Sequence, residues 1–253
     1  MERITSRKNP LCVHIKKLGA SKSYRATAGE FLCDGLKLLN EAVNNKAVIK
    51  TVITCSDLPF PLPPETRVCF TTRSVIDSLS PLKNSQDTLF VCQMKDITSG
   101  NKTSSGNSIL LLDGLQDPGN VGTIIRTADA LGISEIMLCE NCADLFNPKT
   151  IRATMGAIFR QKVTVVSINE IKTLVAKGVR ILGATVGENC SEISRIDLSD
   201  SIIAIGSEGN GLSEAMLSLC EEFITIPISP ECDSLNAAMA ASIIMWELVR
   251  CRL

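Results

Sequence analysis

Apolar and polar positions alternate in two different rhythms along the 253-residue chain. Residues 9–20 carry apolar side chains at helical spacing. In FLCDGLKLLNEAVNN (31–45), Leu32, Leu36, Leu39 and Val43 repeat that spacing and predict a second helix. KTVITC (50–55), TRVCFT (66–71) and TLFVCQ (88–93) are short runs that predict strands, and SVIDSLS (74–80) predicts a short helix. Residues 1–95 therefore read as a small α/β domain. DITSGNKTSSGNS, beginning at residue 96, is rich in Ser, Thr, Gly and Asn and has no periodicity, so 96–107 reads as a flexible linker.

Beyond the linker, residues 108–253 read as a second domain with a regular alternation. SILLLD (108–113) is an apolar run suited to a buried parallel strand. Further strands are predicted at 134–139, 162–166, 179–184, 201–205 and 222–227. Helices are predicted at 121–131, 149–155, 168–176, 212–221 and 235–250. Strands alternating with helices imply an α/β fold, a mostly parallel sheet with helices on both faces. Such sheets bind ligands beyond the carboxyl ends of their strands.

Composition narrows the function classes. Hydrophobic residues make up 45% of the chain, enough for a core without disulfide or metal staples. No apolar run approaches the roughly 20 residues of a membrane span. The basic start, MERITSRKNPLCVHIKKL, lacks an apolar signal core, so a soluble, cytoplasmic protein with no membrane partner is expected. The 11 cysteines are scattered, which fits reduced, buried thiols. Cys139 and Cys142 form the one close pair, without a second pair or a nearby histidine, so no metal site is expected. His14 is the only histidine, which disfavours a Ser-His-Asp or Cys-His hydrolase. Residues 1–95 hold 14 Lys and Arg against 8 Asp and Glu, whereas residues 96–253 hold 12 against 19. A basic half joined to an acidic half points to a nucleic-acid surface near the N-terminus.

Three segments just after predicted strands carry unusual residues. In DGLQDPGNVGTIIRTADALG (113–132), Pro118 and Gly119 make a turn and Asn120 is a candidate N-cap. Arg126 follows among Val121, Ile124, Ile125 and Ala128, where a buried guanidinium must be paired or must line a site. In GSEGNGLSE (206–214), three glycines permit close backbone approach, and a helix predicted from about 212 offers free N–H groups. The order is neither that of a dinucleotide fingerprint nor that of a P-loop, which disfavours a nicotinamide-dependent oxidoreductase. In SPECDSLNAAMAASIIMWELVR (229–250), Ser234 is a candidate N-cap, Asn236 lies in the first turn, and small residues favour close packing.

Together these segments, in this order and separation, resemble the three motifs of the SpoU (TrmH-like) class of RNA 2′-O-ribose methyltransferases, in the SPOUT superfamily. NPKTIRATMGAIFR (147–160) resembles the segment between the first two motifs. The resemblance covers residues 108–250; residues 3–93 resemble, more weakly, an attached substrate-binding domain with the ribosomal protein L30e fold. Asp233 and Thr154 depart from the common Glu and Ser, and Ser229-Pro230-Glu231 replaces a frequent Met-x-Gly-type stretch.

The resemblance implies a deep trefoil knot in the C-terminal domain, which ordinary connection rules would not suggest. It implies a homodimer with sites at the interface. It implies S-adenosylmethionine as methyl donor, contacted near Thr185, Gly206, Ile226, Ile228 and Leu235. It implies catalytic roles for Asn120, Arg126, Glu208, Ser234 and Asn236, and RNA contacts by Lys8, Lys16, Lys17, Arg25 and Arg152. An arginine with a pKa above about 12 is a poor base, so Arg126 is expected to stabilise the developing alkoxide. The expected substrate is 23S rRNA, with tRNA, or a non-catalytic role in RNA binding or ribosome assembly, as alternatives.

Overall fold

The computed structural model describes residues 2–94, 108–187 and 189–250, so the linker expected at 96–107 lies outside the described residues. The chain divides into two compact units. Asp144–Arg160 groups with Met1–Lys95, and Asp96–Ala143 groups with Gln161–Leu253.

The first unit begins with β1 (Glu2–Arg3), α1 (Pro10–Ala20), α2 (Lys22–Ala28) and β2 (Glu30–Asp34). It continues through α3 (Leu36–Asn44), β3 (Ile49–Thr54), β4 (Arg67–Phe70), α4 (Arg73–Leu79) and β5 (Thr88–Gln93). The strands form a mixed sheet in the order β1-β4-β3-β5-β2, with β5 antiparallel to both its neighbours. Pro10 starts α1 under an Asn9 cap whose Oδ1 accepts from the Leu11 N–H at 2.9 Å. Leu11, Cys12, Ile15 and Leu18 of α1 pack into a core with Leu32, Ile53, Cys69, Ile76 and Leu89. The helix predicted from residue 31 begins only at Leu36. Phe31, Leu32 and Cys33 are instead buried in β2, and Gly35 separates strand from helix with φ +117°, a value closed to most side chains.

The second unit opens with β6 (Ile109–Leu112), α5 (Pro118–Leu131) and β7 (Glu135–Cys139). Then comes α6 (Pro148–Ala153), which groups with the first unit. There Phe146 and Phe159 stack near Phe31, at ring separations of 4.8 and 6.4 Å, and Arg160 pairs with Glu41. The second unit resumes with β8 (Val163–Val166), α7 (Ile168–Ala176), β9 (Arg180–Ala184) and β10 (Ser191–Glu192). It ends with β11 (Ser201–Ile205), α8 (Glu214–Leu217), β12 (Glu222–Thr225) and α9 (Ala237–Arg250). All seven strands pair in parallel, in the order β10-β12-β9-β11-β6-β7-β8. Every residue of β6, β7 and β11 is buried, so both faces of the sheet centre are covered. Among the described residues no helix is long and apolar enough to cross a membrane.

Arg25 corrects a sequence expectation. It was expected to meet RNA phosphate, yet it is 3% exposed. Its Nε and Nη2 donate to Asp144 Oδ2 at 3.1 and 2.5 Å, and Nη1 donates to the Leu18 carbonyl at 2.6 Å. A guanidinium so enclosed is a structural cation that ties α2 to the 144–160 segment. Lys8, Lys16 and Lys17 are exposed, with Lys17 Nζ 5.3 Å from the Tyr24 ring centroid. Replacing Arg25 by Ala leaves the half-buried Asp144 without its cation. It should destabilise the unit by about 3 kcal/mol, whereas Lys16→Ala should stay within about 0.5 kcal/mol; chemical denaturation of the two variants checks both values.

Candidate functional site

Residues that follow the carboxyl ends of β6, β9, β11 and β12 converge in the second unit. The first is the turn into α5. Asp117, not Asn120, caps this helix: its Oδ1 accepts from the Gly119 N–H at 2.7 Å, and Pro118 occupies the first helical position. The helix therefore starts earlier than predicted, and Asn120 is free to project its amide sideways.

The second is the loop after β11. A Cβ on Gly206 would lie 2.0 Å from the Gly211 carbonyl carbon and 2.2 Å from the Leu212 nitrogen, so only glycine allows this crossing. Ser207 and Gly211 exchange backbone hydrogen bonds of 3.0 and 2.9 Å, and Gly211 takes φ +64°. The helix predicted over 212–221 shrinks to α8, capped by Ser213, whose Oγ accepts from the Met216 N–H at 3.2 Å. The glycine run is thus a closed loop in its own right. It is not the mouth of a long helix.

The third is the turn into α9. Ser234 was the expected cap, but Asn236 caps the helix instead. Its Oδ1 accepts from the Ala238 and Met239 N–H groups at 3.0 and 3.3 Å. The Asn236 amide then donates to Asn120 Oδ1 at 3.3 Å, and the Asn120 amide donates to Glu208 Oε1. One carboxamide relay therefore joins all three loops, each oxygen accepting and each amide donating.

Beside the relay lies a cavity of about 260 Å³. Thr185, Gly206, Ile226, Ile228 and Leu235 all line it, as do Glu208 and Ser234. Ile193, Ile205, Ile224 and Ile244, which supply much of the apolar wall, were not among the site residues expected from the sequence. Their signal was present only as strand and helix burial. The cavity offers aliphatic walls, the carboxylates of Glu208 and Asp233, the hydroxyl residues Thr185, Ser207, Thr225 and Ser234, and strand-end backbone, a lining suited to a nucleoside-sized ligand that carries positive charge.

Arg126 lies outside the relay. It is exposed on α5, and among the described residues no hydrogen bond or ion pair holds it. Its apolar neighbours in sequence point elsewhere. At 100° per residue Arg126 falls about 150° from the centre of the buried stripe Val121, Ile124, Ile125 and Ala128. Asn120 and Glu208 bond to each other and to Asn236, and neither bonds to Arg126 within this chain. Arg152 belongs to the first unit, where its Nη1 donates to the Asn84 carbonyl at 2.9 Å.

Comparison with known proteins gives a concordant set of likenesses. The sequence profile of the SpoU rRNA Methylase family matches residues 107–246. The 23S rRNA (guanosine(2553)-2′-O)-methyltransferase RlmP of Bacillus subtilis is 31% identical over 98% of this chain and 99% of its own. Among solved structures, the AdoMet-bound rRNA methyltransferase from Sinorhizobium meliloti superposes with a TM-score of 0.87 and 26% identity, covering 100% of this chain and 98% of that one. The SpoU methyltransferase AviRb from Streptomyces viridochromogenes, in complex with AdoMet, gives a TM-score of 0.84 at 26% identity, covering 97% and 98%.

The relay predicts unequal costs for its members. Asn236→Ala removes the cap of α9 as well as one relay bond, and should lower stability by about 1 kcal/mol. Glu208 is exposed and caps nothing, so Glu208→Ala should stay within about 0.5 kcal/mol. Urea denaturation of the two variants measures the difference.

Proposed function

Because the chain belongs to the SpoU rRNA methylase family, we propose that it transfers the methyl group of S-adenosylmethionine to a ribose 2′-hydroxyl of structured RNA, 23S rRNA before tRNA. The observation that carries this reading is the cavity at the strand ends, walled by the segments after β9, β11 and β12 and lined by Glu208, the end of the Asn236–Asn120–Glu208 relay. The relatives named for 23S rRNA 2′-O-methylation, and the AdoMet complexes of similar fold, support it.

The residues present fit the donor. Ile226, Ile228 and Leu235 provide apolar contact for an adenine ring, and the Glu208 carboxylate at the cavity rim favours a cation. Gly206 lets backbone approach where a side chain would intrude. When bound, S-adenosylmethionine supplies a methyl group already activated by a sulfonium, so the protein itself has only to bring up the nucleophile. Asn120 and Asn236, fixed in orientation by their mutual hydrogen bond, position the ribose. Ser234 offers a hydroxyl at the same rim. Arg126 stabilises the negative charge that develops on the 2′-oxygen as its proton passes to solvent water, a role that suits a permanently charged guanidinium.

Arg126 performs that role in a homodimer. Met239, Ile243 and Trp246 of α9 are 62%, 40% and 51% exposed, and they share one helical stripe. α9 packs on α5, the helix that carries Arg126. A second copy seated on the stripe covers this apolar surface and encloses the arginine. The trefoil knot is supported by strand order: β10 follows β9 in the chain but lies on the far side of β12, so β12 is inserted between two consecutive strands. Lys8, Lys16, Lys17 and Arg152 take RNA phosphates, and the protein acts in the cytoplasm, where its RNA is.

Incubation with labelled S-adenosylmethionine and separate pools of rRNA and tRNA should place 2′-O-methyl label in 23S rRNA. Label in tRNA alone would move the substrate. No label in either, with donor still bound, would leave the non-catalytic RNA-binding reading. Arg126→Lys should lower turnover at least about 100-fold while calorimetry finds donor affinity nearly unchanged. Trp246→Glu together with Met239→Glu should yield monomers in sedimentation, with turnover lost.

A further inference from the structure

Asp113 follows β6 and has no part in the chemistry described above. Its side chain is 2% exposed, and among the described residues no cation pairs with it. Burial of a carboxylate is unfavourable unless its oxygens are satisfied. Here both oxygens accept from neutral donors. Oδ2 accepts from the Ser213 N–H at 2.7 Å, and Oδ1 accepts from the Asn141 amide at 3.0 Å. Asn141 in turn accepts from the Gly114 N–H at 3.0 Å through Oδ1. The Asp113 N–H donates to the Ile205 carbonyl at 2.9 Å.

These bonds fall on both ends of one loop. Ile205 is the last residue before the glycine loop and Ser213 the first after it. Main chain and side chain of one residue therefore bracket residues 206–212, the loop that supplies Gly206, Ser207, Glu208 and Gly211 to the cavity wall. The glycine crossing makes the closed form sterically possible. Asp113 holds its two ends at the required distance. Burial first, and then the Asp113 carboxylate, pushes buried Cys139 up to about 12 and half-buried Cys220 to about 11.

We propose that Asp113 is a positioning residue that clamps the 206–212 loop shut, and through it sets Glu208 and the backbone of Gly206 for the methyl donor. The identity of the ligand rests on the function proposed above; the clamp itself does not. Asp113→Asn is nearly isosteric but turns one acceptor into a donor, which then faces either the Ser213 N–H or the Asn141 amide. The double variant Asp113→Asn, Asn141→Asp restores every donor–acceptor match. In this swap the carboxamide at position 113 accepts from the Ser213 N–H through its oxygen and donates through its nitrogen to the carboxylate at position 141. That carboxylate also accepts from the Gly114 N–H. Asn141→Asp alone sets two carboxylates against each other.

Wild type, both single variants and the double swap are compared. Calorimetry with S-adenosylmethionine should find each single variant bound at least about tenfold more weakly, with RNA affinity unchanged, and the swap back near wild type. Hydrogen exchange of the 207–213 amides in ligand-free protein should be faster in the singles and slow again in the swap. Donor affinity within twofold of wild type in Asp113→Asn, or a folded swap as weak as Asn141→Asp, overturns the proposal. Should Asp113→Asn not fold, the swap against Asn141→Asp decides by the same readouts. Should wild type itself bind no S-adenosylmethionine, the functional reading fails and the exchange data alone decide the clamp.

Discussion

A Cβ on Gly206 would collide with the backbone of Gly211 and Leu212, and the whole site is built around that close crossing. Because main chain passes main chain there, the loop after β11 can fold back within a few residues and lock itself through the Ser207–Gly211 pair. The locked loop turns Glu208 towards Asn120. It also leaves a concave wall of exposed backbone, where an ordinary strand-to-helix turn would have filled the space with side chains. Glycine is required by sterics at this crossing and by conformation at Gly211, whose φ is +64°.

The parallel sheet gives the loop something rigid to stand on. β6 and β11 are neighbours, buried along their full lengths, so their carboxyl ends are fixed with respect to one another. Strand β9 flanks β11 on the other side, and β12 flanks β9. Four strand ends therefore present their following residues to one region. The polar groups that meet there are neutral amides and one exposed carboxylate, joined in series from α9 to α5 to the loop. Such a relay fixes the orientation of both amides and ends on a single carboxylate.

Much of this was legible in the sequence because periodicity reports burial. The six strands predicted after the linker all appear with ends shifted by a residue or two, and the apolar face of α5 is the predicted one. The misreadings have distinct causes. Leu32 fits the helical spacing of Leu36, Leu39 and Val43, but the short apolar run Phe31–Cys33 before Gly35 also suits a buried strand, and so short a run does not separate the two periods. Asn120 and Ser234 are good caps by residue type, yet Asp117 and Asn236 hold the geometry, since a cap is decided by where the chain turns. The affiliation of 144–160 with the first unit was not legible at all: it depends on Phe31, Glu41 and Arg25 finding partners more than a hundred residues away.

Two arginines show how far residue type alone can mislead. Arg25 stands in a basic N-terminal stretch and invites a role at phosphate, but Asp144 and the Leu18 carbonyl satisfy its donors inside the protein. Arg126 stands among apolar residues and invites burial, but the helical repeat turns it to solvent. What separates them is the presence of an acceptor. The fold surrounds Arg25 with acceptors. Arg126 has none among the described residues, on a helix whose packing partner, α9, carries an uncovered apolar stripe. Folding within one chain leaves both the Arg126 guanidinium on α5 and the apolar stripe on α9 facing solvent. In the homodimer proposed above, the stripe would gain cover and the guanidinium a low-dielectric setting in which its charge acts strongly on an oxyanion.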